Sequence, residues 1–312
     1  MSGIINKIKL ILTDYNHRQE FIIASKKKLG ISYDKTQVKY QYRFFVGKKL
    51  NLKNPKTFNE KLNWIKLNYR RNIMTKMVDK YEVRSIIEQT IGEQYLIPLI
   101  GVYDKFDDID FDKLPNRFVI KCNHDSGSTI ICNDKTKFDI NNAREIINKC
   151  LKINFGKKYI EWPYMNVKPR IIIEEFIEDD LKPELRVYKV FNFNGNPKII
   201  QMINGDKTEH EYINYYDIDW NLLKLKQNYP NGPIDEKPIC LKEILELAKQ
   251  LSKEVPFVRT DFYVVNEKII FSEFTFFSDA GIVPFEPKEW DEILGSWIKL
   301  PNKTREDKMG KR

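Results

Sequence analysis

Cysteine and histidine are scarce in this sequence. Its 312 residues hold four cysteines, Cys122, Cys132, Cys150 and Cys240, and three histidines. No two cysteines form a CxxC pair, so neither a zinc site nor a disulfide framework is expected. No apolar run reaches the 18 residues or more of a membrane-spanning helix. The opening stretch MSGIINKIKLIL interrupts its apolar run at Lys7 and Lys9 and has no small-residue cleavage site. The expectation is a reduced, cytoplasmic protein. Internal repeats and low-complexity tracts are also missing. What is present is apolar material: 42% hydrophobic and 13% aromatic residues, enough for a sizeable core in one large domain or two.

Charge is unevenly spread. Residues 1–50 carry eleven Lys/Arg against three Asp/Glu, a balance of +8, while the whole chain is +9. The excess sits in local runs, ASKKKLG and VGKKL, and is not woven among stacking or base-reading groups, so nucleic acid is not the expected partner. A solvated helical face is the plain reading. Contact of residues 1–50 with an acidic polymer or an anionic membrane surface is the alternative.

Periodicity changes along the chain. Residues 1–95 read mainly as helix. In NPKTFNEKLNWIKLNYR, Phe58, Leu62, Ile65 and Leu67 recur near helical spacing, and Thr57 with Glu60 forms a capping box. DKYEVRSIIEQTIG predicts a second helix closed by Gly92. From residue 117 the segments RFVIKCN, STIICND, PRIIIEEF, LRVYKVFNFNGNPKIIQMI and FVRTDFYVVNEKIIFSEFTF are rich in strand formers. FNGNP at 193–197 and VNEK at 265–268 predict hairpin turns. Helices are predicted in NNAREIINKCLKIN and LKEILELAKQLSKE. The fold class is α+β, with a helical N-terminal region before an antiparallel body. The expected division is 1–54 as a basic arm, 55–115 as a helical region, 116–178 and 179–300 as two α+β subdomains, and 301–312 as a charged tail.

Three clusters carry chemistry. In FVIKCNHDSGSTI an apolar strand ends on Lys121 and turns through Ser126, Gly127 and Ser128. A lysine head with a short Gly/Ser turn suits phosphate oxygens. With one glycine the loop is neither a GxGxxG nor a P-loop pattern. In RIIIEEFIEDD a strand ends in Glu174-Glu175-Phe176-Ile177, where backbone groups could meet a base edge while an apolar side chain covers a ring. In VRTDFYVVNEKIIFSEFT, Arg259 and Asp261 share one strand face, as do Glu273 and Thr275. Pairing about the Asn266-Glu267 turn sets position 261 nearly opposite 272. Asp261 and Glu273 then converge into an oxygen-rich site suited to Mg²⁺, or a cross-strand Arg259–Glu273 ion pair forms. His124 is read as a phosphate contact or solvated residue before it is read as a base.

In order, the lysine of VDKYEVR, FVIK with its loop, EEFI, RxD and ExT resemble the ATP-grasp superfamily, most closely the TupA-like ATP-grasp group. TFNEKLNW, IGEQYLIPLIGVYD, YKVFNFNG and SEFTFFSDAG extend the resemblance over roughly residues 55–300. Members of that group tend to occur with bacterial cell-surface polysaccharide and teichuronopeptide biosynthesis genes. The resemblance implies that Lys80 and Lys121 hold ATP phosphates under a loop of Ser126, Gly127 and Ser128. It implies an adenine hinge at Glu174, Glu175, Phe176 and Ile177, and Glu184 on the ribose. It assigns Mg²⁺ to Asp261, Glu273 and Thr275, and gives Arg259 the transferred group. Lys189 would reach phosphate or substrate carboxylate. Thr275 departs from the asparagine common at its position, and Val187 from an acid that much of the group carries. The implied activity is ADP-forming ligation of a carboxylate to an amine. The implied substrates are an amino acid and a uronic-acid-containing glycan or lipid-linked precursor, handled in the cytoplasm or at the inner membrane face. A metal-dependent glycosyltransferase and a non-catalytic nucleotide-binding scaffold stay open as alternatives. For the former, DID at 108–110 and 217–219 offers DxD-type candidates.

Overall fold

The structure is a computed structural model that describes residues 14–125, 127–181, 185–204, 209, 211–302 and 304–305. Helices α1 (Tyr15–Lys28) and α2 (Asp34–Val46) pair as a hairpin, tied by Tyr40 Oη donating to Glu20 and Lys26 Nζ donating to Thr36, each at 2.9 Å. The expected capping box opens α3 (Phe58–Asn68): Thr57 and Glu60 exchange hydrogen bonds at 3.3 Å, which satisfies two orphan amides. A two-residue strand, β1 (Tyr69–Arg70), pairs in parallel with β11 (Thr304–Arg305). Short helices α4 (Asn72–Val78) and α5 (Val83–Thr90) follow. No described helix is long and apolar enough to cross a membrane.

Two antiparallel sheets form the body. Strands β2 (Leu99–Tyr103), β3 (Phe118–Cys122), β4 (Ile130–Cys132) and β5 (Ile171–Glu175) assemble in the order β2-β5-β3-β4. Helix α6 (Ile140–Leu151) covers this sheet with Ala143 and Ile147, against Phe118, Ile120, Ile171 and Ile173. Strand β2 lies within the 55–115 stretch yet pairs with β5, so this core begins ahead of residue 116. Two single-turn helices, α7 (Gly156–Tyr159) and α8 (Trp162–Met165), lead back to β5. Strands β6 (Arg186–Phe193), β7 (Asn196–Asn204), β8 (Tyr212–Tyr216), β9 (Phe257–Val265) and β10 (Lys268–Thr275) make the larger sheet, ordered β10-β9-β6-β7-β8. Helix α9 (Leu241–Leu251) buries Leu241, Ile244, Leu247 and Leu251 in the core of that sheet, and α10 (Glu289–Trp297) crosses the start of α3. The crossing is close: a Cβ on Gly295 would lie 2.2 Å from the Lys56 carbonyl oxygen.

Both predicted hairpin turns are present. Asn194 and Gly195 have φ of 48° and 78°, and Asn266 and Glu267 have φ of 49° and 65°. Two consecutive left-handed residues match the right-handed twist of paired strands.

Helix α3 has an unexpected polar face. Asn59, Asn63 and Lys66 follow helical spacing and are all almost fully buried. They grip one turn. Asn63 Nδ2 donates to the Gly281 carbonyl at 2.7 Å, Lys66 Nζ to Ala280 at 2.8 Å and Asn59 Nδ2 to Val283 at 2.9 Å. That turn holds three left-handed residues in a row, Asp279, Ala280 and Gly281, with φ of 47°, 53° and 63°. A non-glycine residue in such a conformation costs of order 1–3 kcal/mol and persists only where its surroundings enforce it. The three donors supply that enforcement.

Burial pulls the Lys66 amine down from its ordinary 10.5 to about 8, with Glu161 opposing. Folding lowers this pKa, so between about pH 8 and 10.5 the unfolded chain binds more protons and stability rises with pH. In denaturant titrations at pH 7.5 and pH 10.5, wild type should gain roughly 3 kcal/mol relative to Lys66→Met. Parallel pH dependence of the two proteins would mean that the ammonium is solvated.

Candidate active site

The site forms where the two sheets face each other. On the larger sheet, register builds two rows. Lys189, Asp261 and Glu273 stand side by side on β6, β9 and β10, and Phe191, Arg259 and Thr275 form the next row. Regular pairing would have set Asp261 opposite Ser272, near the sequence expectation. The ladder instead slips between Phe271 and Glu273, and this bulge sets Glu273 opposite Asp261. Because strand side chains alternate, the one-residue slip decides whether Glu273 faces the site or the opposite side of the sheet.

Arg259 holds Asp261 with two parallel hydrogen bonds, Nε to Oδ1 at 2.8 Å and an Nη2 to Oδ2 at 2.7 Å, and approaches Glu273 to 3.9 Å. Lys189 lies 3.8 Å from Asp261. Burial opposes the guanidinium charge, but Asp261 and then Glu273 keep Arg259 protonated. Burial alone would raise Glu273. Lys80, Arg259, Lys189 and Lys121 together hold it below the usual carboxylate range.

The smaller sheet and its preceding helices supply the facing cations. The Lys80 amide donates to Asn123 O at 3.0 Å, and buried Asn123 donates to Asp79 at 2.8 Å, so the turn before α5 is docked on the loop after β3. From there Lys80 Nζ donates to the Asp125 carbonyl at 2.5 Å and lies 3.6 Å from Glu273. Buried Ser128 organises the loop: its hydroxyl donates to Asp125 at 2.6 Å and accepts from the Cys122 amide at 2.7 Å. Gly127 is exposed, with open space around it. Burial pushes the Cys122 thiol up to about 12, so it offers no thiolate here.

The EEF segment divides. Glu174 is buried in an ion-pair group, 2.5 Å from Lys121 and 3.4 Å from Arg84. Glu175, Phe176 and Ile177 carry the chain out of the sheet, with the Arg117 guanidinium 3.9 Å from the Phe176 ring centroid. Ser126 and Glu184 lie outside the described residues. Thus Lys80, Lys189, Arg259, Asp261, Glu273 and Thr275 share one site, with Lys121 and Glu174 as a second pair on the smaller sheet.

A cavity of about 440 Å³ opens beside these groups, lined by Lys80, His124, Arg259, Glu273, Thr275 and Asp279 among others. Asp279, Glu161 and Arg84 were not singled out from the sequence. No sequence signal marked the first: its place beside the cavity follows from the turn that Asn59, Asn63 and Lys66 hold. Among the described residues no three His, Cys, Asp or Glu side chains converge as a ready metal cluster. The Asp261–Glu273 pair with the Thr275 hydroxyl still fits a magnesium ion in donor chemistry, because a carboxylate holding one arginine keeps further lone pairs.

No curated protein matches the chain. Among solved structures, an L-amino acid ligase from Bacillus licheniformis is similar with a TM-score of 0.42 at 15% identity, over 66% of this chain and 44% of that one. A D-alanine–D-alanine ligase from Bacillus anthracis complexed with ATP gives 0.36 at 18% identity, over 69% and 56%. The enzyme of that name from Helicobacter pylori gives 0.43 at 12% identity, over 80% and 68%. The chain spans about half the length of the first two. The model of the TupA-like ATP-grasp family matches residues 60–299, a stretch that takes in both sheets and every charged row between them. By that match the chain belongs to the TupA-like ATP-grasp family.

Proposed function

We propose that this protein is an ADP-forming, Mg²⁺-dependent ligase that activates a carboxylate as an acylphosphate with ATP and joins it to an amine. The observation that carries the reading is the array Lys80–Glu273–Arg259–Asp261–Lys189 between two sheets at a cavity. Phosphoryl transfer asks little covalent chemistry of a protein and much positioning and charge neutralisation. Lys80 and Lys121 would exchange their carboxylate partners for phosphate oxygens, with Gly127, Ser128 and Ser126 closing over them. The chain from Glu175 to Ile177 would meet adenine, with Phe176 against its ring, and Glu184 the ribose. Glu174 acts through Lys121, which it holds by charge. Glu273, Asp261 and Thr275 would hold Mg²⁺, which neutralises phosphate charge when bound. Arg259 steadies the transferring group, and Lys189 is available to the substrate carboxylate. Loop closure keeps water from the acylphosphate.

The family setting supports an acceptor in bacterial surface polysaccharide or teichuronopeptide biosynthesis: an amino acid with a uronic-acid-containing glycan or lipid-linked precursor. The helical hairpin supports a role in holding it. Lys26, Lys27 and Lys28 end α1, Lys48 and Lys49 follow α2, and Phe44 and Phe45 are exposed beside them.

Three outcomes test this. ATP with Mg²⁺ at 100 times its Kd should stabilise the protein by about 2.7 kcal/mol in thermal denaturation. A shift with a UDP-sugar and none with ATP would instead indicate a glycosyltransferase. Glu273→Gln should lower kcat by on the order of 100-fold or more with the fold intact by circular dichroism, since a neutral amide is a poorer Mg²⁺ ligand. Near-normal turnover at low Mg²⁺ would make the pair structural. Neutralising Lys26, Lys27, Lys28, Lys48 and Lys49 should weaken binding to phosphatidylserine vesicles and flatten its salt dependence, while ATP affinity holds. Vesicle binding unchanged by the mutations would reduce those lysines to a solubilising face.

A further inference from the structure

Resting on the ligase reading, we propose that the cavity beside Arg259 is the acceptor site for a primary amine carried on an apolar-faced ring, and that Asp279 binds the ammonium group and takes its proton. At about 440 Å³ the cavity falls within the ~300–1,000 Å³ usual for small-molecule sites. Its walls are aromatic: Phe45 from α2, Phe155, Tyr159, Tyr164 and Phe277. Ring faces carry negative quadrupole potential, which favours a cation over an anion and an apolar body over a polar one.

The charges point the same way. The lining holds four acids, Asp125, Glu161, Glu273 and Asp279, against two cations, Lys80 and Arg259, and one histidine, His124. Both cations have carboxylate partners, Lys80 in Glu273 and Arg259 in Asp261. Asp279, in contrast, forms no ion pair among the described residues, while Glu161 lies within electrostatic range of the Lys66 ammonium, which favours its charge, and of Asp279, which opposes it. Asp279 is exposed and also within range of Arg259, the group assigned to the reacting phosphoryl or acyl centre. An exposed acid with no ion pair of its own, at an aromatic-walled cavity, suits a cation.

An amine nucleophile arrives as that cation. It must lose a proton before it can attack, and the Asp279 carboxylate takes it. The nitrogen lone pair then forms the C–N bond to the acyl carbon. The C–O bond to phosphate breaks, phosphate leaves with that electron pair, and the second nitrogen proton passes to the departing phosphate. The clamp of Asn59, Asn63 and Lys66 fixes the left-handed turn, so these three are positioning residues for Asp279.

Asparagine tolerates the left-handed conformation, so Asp279→Asn removes the charge and keeps the turn. The probes are cyclohexylamine, cyclohexanol and cyclohexanecarboxylate, which differ only in the group on the ring. Ligand-observed NMR should show cyclohexylamine binding wild type at least tenfold more tightly than the other two. Asp279→Asn should erase that preference and leave cyclohexanol binding unchanged. The proposal is overturned if cyclohexanecarboxylate binds best, if Asp279→Asn retains the amine preference, or if Mg²⁺ alone displaces the amine, which would make the acids a metal site. ATP·Mg²⁺ stabilisation is read on the same samples, so failure of nucleotide binding is told apart from failure of the amine site.

Discussion

Glu273 sits half-buried where the two sheets meet, and a carboxylate there is disfavoured unless cations surround it. The cations that offset this cost come from four separate segments: Lys80 ahead of α5, Lys121 on β3, Lys189 on β6 and Arg259 on β9. Satisfying one carboxylate therefore fixes the approach of the smaller sheet, the larger sheet and the preceding helices. The bulge in β10 is part of the same constraint, since without the slip at Ser272 the carboxylate would face the other side of the sheet. The cations are held by carboxylates before any ligand arrives, which keeps them from repelling one another and leaves them exchangeable for phosphate oxygens.

Much of this was legible in the sequence because it rests on local rules. The Thr57–Glu60 capping box, the hairpin turns at Asn194-Gly195 and Asn266-Glu267, and the strand character of 118–122 and 257–275 follow from cap, turn and alternation chemistry. A charge at a strand end marked Lys121, and two carboxylates converging on one sheet face marked Asp261 and Glu273. What could not be read was register. No local signal distinguishes Ser272 from Glu273 as the partner of Asp261, because a bulge is settled by packing on both faces of a sheet. Nor could the partner of a buried polar side chain be read. Glu174 looks like its neighbour Glu175 in sequence, yet one is enclosed by Lys121 and Arg84 and the other is exposed. Asp279 depends on contacts more than 200 residues away, between Gly281 and Asn63.

The polar face of α3 also explains why buried polarity is tolerated there. A leucine at position 63 or 66 would add apolar area but leave backbone carbonyls of the 279–283 turn without donors, and each buried carbonyl so abandoned costs about 1–3 kcal/mol. The helix trades stability for a fixed backbone shape next to the cavity, as a specificity device and not as a core contribution.

That contact has a consequence for the order in which the chain can fold during synthesis. The strands of the smaller sheet all lie within residues 99–175, so that sheet can close without the rest of the chain. The polar side chains of helix α3 find their long-range partners near residues 280–298, through Asn63, Lys66 and Lys61, whose ammonium donates to the carbonyls of Gly295 and Ile298. At about 5–20 residues per second a ribosome needs tens of seconds to supply them. For that interval the emerging α3 carries a hydrophobic stripe and three unpaired polar groups with nowhere to go, while the sheet behind it is already able to assemble. A segment buried in the finished molecule is thus open to chaperones and proteases while the chain is being made.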